Sequence, residues 1–317
     1  MDEFVRRMPK AELHLHLEGS VEPETLQELE PGSSLEDCRA IYSYADFDGF
    51  LKAFGVVGKR LRRPEDYALI TRRLLERLAA QNVRYAEITL AVGVILWKGD
   101  DPAPMFEAAR EAARNSAVAV RWIFDAVRQF GIEPAMRVAE FAAERVGEDV
   151  VAIGIGGSEE RGPASWFTEV FAFARRAGLR LTAHAGESMG PESIWAALEL
   201  GAERIGHGIA AVRDPALMRH LRDRDIPLEI CITSNLVTGV VKRLEEHPVR
   251  AIYDAGVPIV LNSDDPAMFG CTLTDEYRLA ARAFGFTEKE LCGIAENGFR
   301  YGFGGWETGN SKKQSQF

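Results

Sequence analysis

The sequence predicts an α/β fold: a closed (β/α)8 barrel forming one domain over residues 1–317, with a helical insertion after its first strand. Three observations predict it. The chain has 317 residues, long for an average domain but ordinary for a barrel, which runs to ~250 residues or more. Eight short, β-rich apolar runs recur along it, and eight is the number that a closed barrel needs. Stretches of helical period separate these runs, so strands and helices alternate as in parallel βα units. A doubly wound sheet would alternate too, but its Gly-rich phosphate loop should follow the first strand. Here that strand ends in His16-Leu-Glu-Gly19 with no such loop. The prediction is a barrel of the TIM type.

Taken in order, the strands fall at 11–17, 83–90, 118–125, 150–156, 180–185, 203–207, 227–233 and 258–263. Helical periodicity is clear over Tyr67–Ala80 and Ala164–Arg176. Roughly sixty residues part the first strand from the second, far more than one helix and two short loops require. The excess, at about 20–80, must be a small helical subdomain. It rises from the C-terminal end of a strand, the barrel face where sites are built, so Tyr44, Phe47, Phe50, Leu51 and Phe54 are candidates to line a lid. Equally, these aromatics could simply pack the subdomain onto the barrel. The tail 309–317 is polar and reads as frayed.

Composition excludes several classes. Hydrophobic residues make up 46% and charged residues 27%, enough for a sizeable core and incompatible with disorder. A net charge of −10 disfavours nucleic acid as a partner. The cysteines Cys38, Cys231, Cys271 and Cys292 are scattered, suggesting neither a disulfide framework nor a thiolate zinc site. With no signal-peptide pattern and no apolar run of spanning length, no membrane partner and a cytoplasmic location are expected.

Histidine placement carries the chemistry. Of six histidines, four fall at strand ends: His14 and His16 on the first, His184 on the fifth and His207 on the sixth. His14 and His16 are two apart, so on a strand they face the same way, as two ligands of one metal must. Alone, the pair is weak evidence, since hydrogen-bonded strand histidines are the commoner case. Asp264 and Asp265 close the last strand after Ile259-Val-Leu261. Adjacent acids repel, and a cation with a hydrogen-bond donor relieves them, although an Asx turn is the plain alternative. His184-Ala-Gly-Glu187 and Arg204-Ile-Gly-His207-Gly208 end two further strands with small residues that permit tight turns under a ligand. Together these residues converge on one barrel face.

The whole chain resembles the adenosine deaminase family of the amidohydrolase superfamily. The resemblance rests on Glu12-Leu-His14-Leu-His16-Leu-Glu18-Gly19, His184-Ala-Gly-Glu187, Gly206-His207-Gly208, Thr233-Ser-Asn235 and Ser263-Asp264-Asp265-Pro266, in the family's order. It implies one zinc per chain, held by His14, His16, His184 and Asp264. It also implies that a water activated by the metal replaces a purine 6-amino group. His207 would take that water's proton, Glu187 would protonate ring nitrogen 1, and Asp265 would bind the nucleophile and ring nitrogen 7. The amide of Gly157 would donate to ring nitrogen 3. For its role Glu187 must hold a proton at neutral pH, so its pKa should be raised by enclosure. The fourth strand ends Gly154-Ile-Gly-Gly-Ser-Glu159 without the bridging lysine of binuclear relatives, which favours one metal and leaves His207 free.

The family resemblance implies four candidate substrates: adenosine, adenine, 6-amino-6-deoxyfutalosine of a menaquinone route, and N6-methyl-AMP. No basic cluster beside the motifs suits the phosphate of the last. Adenine-specific relatives tend to carry serine where this chain has Gly157, which favours a nucleoside. Glu18 stands where adenosine-specific relatives have aspartate at the sugar, a departure that counts against adenosine, and the stretches Tyr85–Trp97, Arg121–Arg128 and Asp265–Gly270 resemble the bacterial aminodeoxyfutalosine-type subgroup. The bulky sugar substituent of aminodeoxyfutalosine would leave by a channel formed by Phe50, Phe54, Trp97, Lys59 and Arg60. A reading of another class is a metal- or nucleoside-binding barrel without turnover, which release of ammonia would rule out.

Overall fold

The computed structural model describes residues 1–305; the tail at 309–317 lies outside the described residues. Strands β1 (Lys10–His16), β2 (Val83–Leu90), β3 (Ala119–Val127), β4 (Val150–Gly156), β5 (Arg180–Ala185), β6 (Arg204–His207), β7 (Leu228–Ile230) and β8 (Ile259–Leu261) form one eight-stranded sheet in sequential order. Neighbours pair in parallel throughout. β8 returns to β1 at the mouth: the His16 N–H donates to the Asp264 carbonyl at 2.9 Å and the Asp264 N–H to the His14 carbonyl at 3.1 Å. This is the (β/α)8 barrel read from the sequence. Helices cover its outer face, so strands such as β4 are apolar along nearly their whole length. On β1 the alternation sends Glu12, His14 and His16 to one face and Leu13 and Leu15 to the other.

Side chains complete the ring where backbone pairing stops. Asn262 Oδ1 accepts from the Leu13 and His14 N–H groups at 2.8 and 3.1 Å, standing in for a strand carbonyl between β8 and β1. β8 is therefore shorter than the run at 258–263. The run at 227–233 is cut for a different reason. The buried Glu276 side chain accepts from the Ile232 and Thr233 N–H groups at 2.7 and 3.2 Å and so satisfies the first donors of a helix, Ile232–Val237. β4 and β5 pair only at Ala152–Arg180 and Ile153–Leu181, and above them Arg128 fills the gap. Its guanidinium donates to Ile155 O at 3.4 Å, to Gly162 O at 3.1 Å and to His184 O.

The insertion holds the helices Pro23–Leu29, Leu35–Ile41, Phe47–Arg60 and Pro64–Ala80. The last packs along Pro102–Ala113 and β2 as the barrel's own first helix, so three helices rise over the mouth. The stretch Ala164–Arg176 splits into a 3-10 turn, Ala164–Phe167, and a helix, Thr168–Arg176. Among the described residues, no helix is long and apolar enough to cross a membrane.

Candidate metal centre and active site

The ends of β1, β5 and β8 bring His14, His16, His184 and Asp264 together, with one ligating atom from each lying within 4.8 Å of the others. His14 Nε2 and His16 Nε2 are 3.2 and 3.4 Å from Asp264 Oδ1, and His16 Nε2 is 3.2 Å from His184 Nε2. The donor set fits a divalent ion. His14 Nε2 is buried and makes no hydrogen bond, although buried polar atoms are ordinarily satisfied. Its Nδ1 lies 2.8 Å from Glu229, which accepts from Arg204 Nε at 2.6 Å. Glu229 therefore holds the His14 proton on Nδ1 and leaves the Nε2 lone pair facing the cluster. Burial works against charge on His14, yet Asp264 and Glu229 raise its pKa to about 10. A field that retains a proton so strongly equally favours a metal cation. Burial depresses His16 to about 4 and His184 well below the usual range, so both present neutral imidazoles. Asp264 has φ of 63°, a conformation rare outside glycine and common at functional sites.

Glu187, His207 and Asp265 border the same cavity. Burial first, then the charges of Asp264 and Glu159, push Glu187 well above the usual carboxylate range, as its expected role requires. Burial and the Asp264 charge likewise raise Asp265, whose Oδ1 has no partner. The Gly19 backbone lies against this carboxyl: a Cβ built at Gly19 would fall 1.7 Å from Asp265 Oδ1, so only glycine fits. His207 sits 3.6 Å from Glu187 and is depressed to about 4 by burial. Its tautomer is set from a distance. The Val249 N–H can only donate, and it donates to His247 Nδ1 at 3.2 Å. His247, also depressed to about 4 by burial, then carries its proton on Nε2 and donates to Asn235 Oδ1 at 3.1 Å. Asn235 Nδ2 therefore donates to His207 Nδ1 at 3.1 Å, which leaves the neutral His207 proton on Nε2.

The predicted lid residues divide. Phe47, Phe50, Leu51 and Phe54 line the cavity, and Phe54 meets His16 edge-on at 6.2 Å. Tyr44 instead fastens the lid, its hydroxyl donating to Met268 O at 2.6 Å. Gly157 lines the cavity, but Glu18 lies beneath it, where its buried carboxylate accepts from the Ala91 N–H at 3.1 Å and is raised to about 7 by burial. The proposed channel is corrected in part. Phe50 and Phe54 border the cavity, whereas Trp97, Lys59 and Arg60 do not. Trp97 stacks on the outer side of Phe130, Lys59 Nζ lies over Trp97 at 5.1 Å, and Arg60 turns to Glu30 at 3.4 Å.

Several supporting residues escaped the sequence reading. The buried Glu159 carboxylate accepts from the N–H groups of Gly186, Glu187 and Ser188 at 2.7, 3.0 and 2.8 Å and so fixes the loop that carries Glu187. Only its place at the end of the β4 motif hinted at a role. Arg204, beyond its hydrogen bond to Glu229, also pairs with Glu87 at 2.6 Å. Asp125 lines the cavity with its Oδ1 unpartnered, and burial raises it to about 7.

Fold and site together define an amidohydrolase-type barrel built around a candidate metal centre. The adenosine deaminase family model matches residues 9–310, and the chain belongs to that family of hydrolytic purine deaminases. It is 41% identical over 315 residues to the aminodeoxyfutalosine deaminase of Streptomyces avermitilis, covering 95% of this chain and 88% of the relative. It is 36% identical over 310 residues to the adenine deaminase of Rhizobium leguminosarum, covering 95% and 96%. Among solved structures, the adenine deaminase of Arthrobacter aurescens superposes with a TM-score of 0.88 at 30% identity, covering 93% and 94%. An amidohydrolase from Burkholderia ambifaria with bound Zn gives 0.88 at 28%, covering 95% and 87%.

Proposed function

We propose that the chain is a mononuclear zinc enzyme of the cytoplasm. It would convert the 6-amino group of a purine nucleoside to a 6-oxo group, consuming one water and releasing one ammonia. Its preferred substrate is 6-amino-6-deoxyfutalosine, ahead of adenosine. The observation that carries this reading is the convergence of His14, His16, His184 and Asp264 with Glu187, His207 and Asp265 on one cavity. The choice of substrate leans on the likeness to the Streptomyces avermitilis enzyme.

His14, His16, His184 and Asp264 would hold the ion. When bound, zinc supplies a water nucleophile at neutral pH by lowering that water's pKa toward ~7. Glu187, protonated in its enclosed position, delivers its proton to ring nitrogen 1 and makes carbon 6 electrophilic. Asp265 in its neutral form donates to ring nitrogen 7. His207 presents Nε2–H and so orients the attacking water by donating to it. To accept a proton at Nε2 it must first take the other tautomer, with Asn235 turned over and the His247 proton moved to face the Val249 N–H. Orientation thus precedes any transfer to His207. The Gly157 amide reaches ring nitrogen 3, and Glu18 acts toward the sugar through the Ala91 segment that it holds.

Adenine is the second reading, favoured by the likeness to adenine deaminases. Turnover of aminodeoxyfutalosine, adenosine, adenine and N6-methyl-AMP, followed by purine absorbance, separates the readings. Aminodeoxyfutalosine should exceed adenosine in kcat/KM by at least ~10-fold, or ~1.4 kcal/mol. A preference for adenosine or adenine overturns the substrate, and inertness toward all four overturns the enzyme.

A further inference from the structure

The geometry points to Gln129 as the residue that separates a nucleoside from the free base. The inference rests on the nucleoside reading above and on the placement of the Gly157 amide at ring nitrogen 3. Gln129 follows β3, lines the cavity and is partly exposed to it. The Ser158 N–H donates to its Oε1 at 3.1 Å. A backbone N–H can only donate, so the oxygen end of this amide is fixed, and the NH2 end must be the free one. Among the described residues that NH2 has no partner.

Its position follows from Gly157. A Cβ built there would lie 2.2 Å from Gln129 Oε1 and 3.1 Å from Nε2. The Gln129 amide therefore occupies the space that any side chain at 157 would claim, immediately beside the amide assigned to ring nitrogen 3. Gly157 has φ of 91°, which further discourages a side chain. In a purine, nitrogen 3 lies between nitrogen 1, assigned to Glu187 after β5, and nitrogen 9; Gln129, after β3 and so on the other side of the β4 donor, faces nitrogen 9 and whatever it carries.

Complementarity then decides. A nucleoside carries sugar oxygens at that point, and they accept from the Gln129 NH2. Free adenine carries N9–H, a donor, which would meet the NH2 donor to donor and leave both unpaired in an enclosed site. Gln129 is in this way a specificity device that rejects the base by its hydrogen rather than by its size.

The test compares kcat/KM on adenosine with that on adenine in the wild type, Gln129→Glu and Gln129→Leu. Metal content and thermal midpoint confirm that each variant is folded. Glutamate keeps an acceptor for Ser158 and turns a second acceptor toward nitrogen 9. The adenosine-to-adenine ratio should therefore fall by about 10-fold or more, with adenine turnover rising. Leucine should lower the ratio less, through loss on adenosine alone. Ratios in both folded variants within about twofold of a wild type that prefers adenosine overturn the Gln129 assignment and leave the nucleoside reading standing. A wild type that prefers adenine overturns the nucleoside reading and this assignment with it.

Discussion

The floor and the roof of the cavity are built by different physics. On the floor, the functional side chains leave strand ends, and three of the elements that carry them are gripped by buried polar partners: His14 by Glu229, His207 by Asn235, the Glu187 loop by Glu159. The roof is the Phe47–Arg60 helix, held largely by ring packing such as Phe50 on Phe269 at 4.9 Å, with the Tyr44 hydroxyl bond as an anchor. Directional bonds in a low-dielectric interior fix atoms closely, whereas apolar contact tolerates sliding. Chemistry therefore belongs to the floor and admission to the roof. Substitutions on the floor should lower kcat, and those on the roof should act through KM.

The largest effect expected is from His16→Ala, which should lose metal retention and at least about 1000-fold in turnover. Metal analysis beside steady-state kinetics would show it, and full activity without retained metal would end the distinction drawn here. Next comes Glu187→Gln, which should keep fold and metal while turnover falls roughly 100- to 10,000-fold, because an amide cannot deliver a proton. Its pH profile sharpens the point. The raised Glu187 carboxyl is protonated at neutral pH, so wild-type activity should fall as pH rises through that elevated pKa. On the acid side, activity should fall as pH drops through about 4, where His207 gains a second proton at Nδ1, loses the hydrogen bond from Asn235 that holds its ring, and can no longer take up a proton. Glu187→Gln should erase the alkaline limb attributable to that carboxyl, and an unchanged limb would assign it elsewhere.

One layer beneath the ligands, Glu229→Gln should weaken metal affinity or activity by about 10- to 100-fold, because it loosens the His14 tautomer. Competition with a chelator measures it. The smallest effect is on the roof, where Phe50→Ala removes one apolar wall of the cavity. It should raise KM by roughly 10-fold and leave kcat nearly unchanged. A comparable fall in kcat would mean that the roof also positions the reacting atoms.

The same contrast explains what the sequence disclosed. His14, His16, His184, His207 and the Asp264–Asp265 pair were legible because strand periodicity and strand ends are local properties. Their supports were not. Glu229, Glu159, Arg128 and Gln129 act across the barrel on partners far away in sequence, and no local pattern marks such a bond. β7 was read too long because Glu276, more than forty residues on, nucleates the helix that ends it. β8 was read too long because a side chain, Asn262, takes over the ladder. Lys59 and Arg60 were drawn to the cavity by charge alone, but Trp97 and Glu30 hold them outside it.

The claim that the floor is a single-metal device is tested most directly by titrating metal-stripped protein with zinc while following deamination of its best substrate. A single-metal floor gives no activity at the start, a linear rise, and a sharp break at one equivalent per chain. A break at two equivalents, or full turnover in the stripped protein, would contradict it.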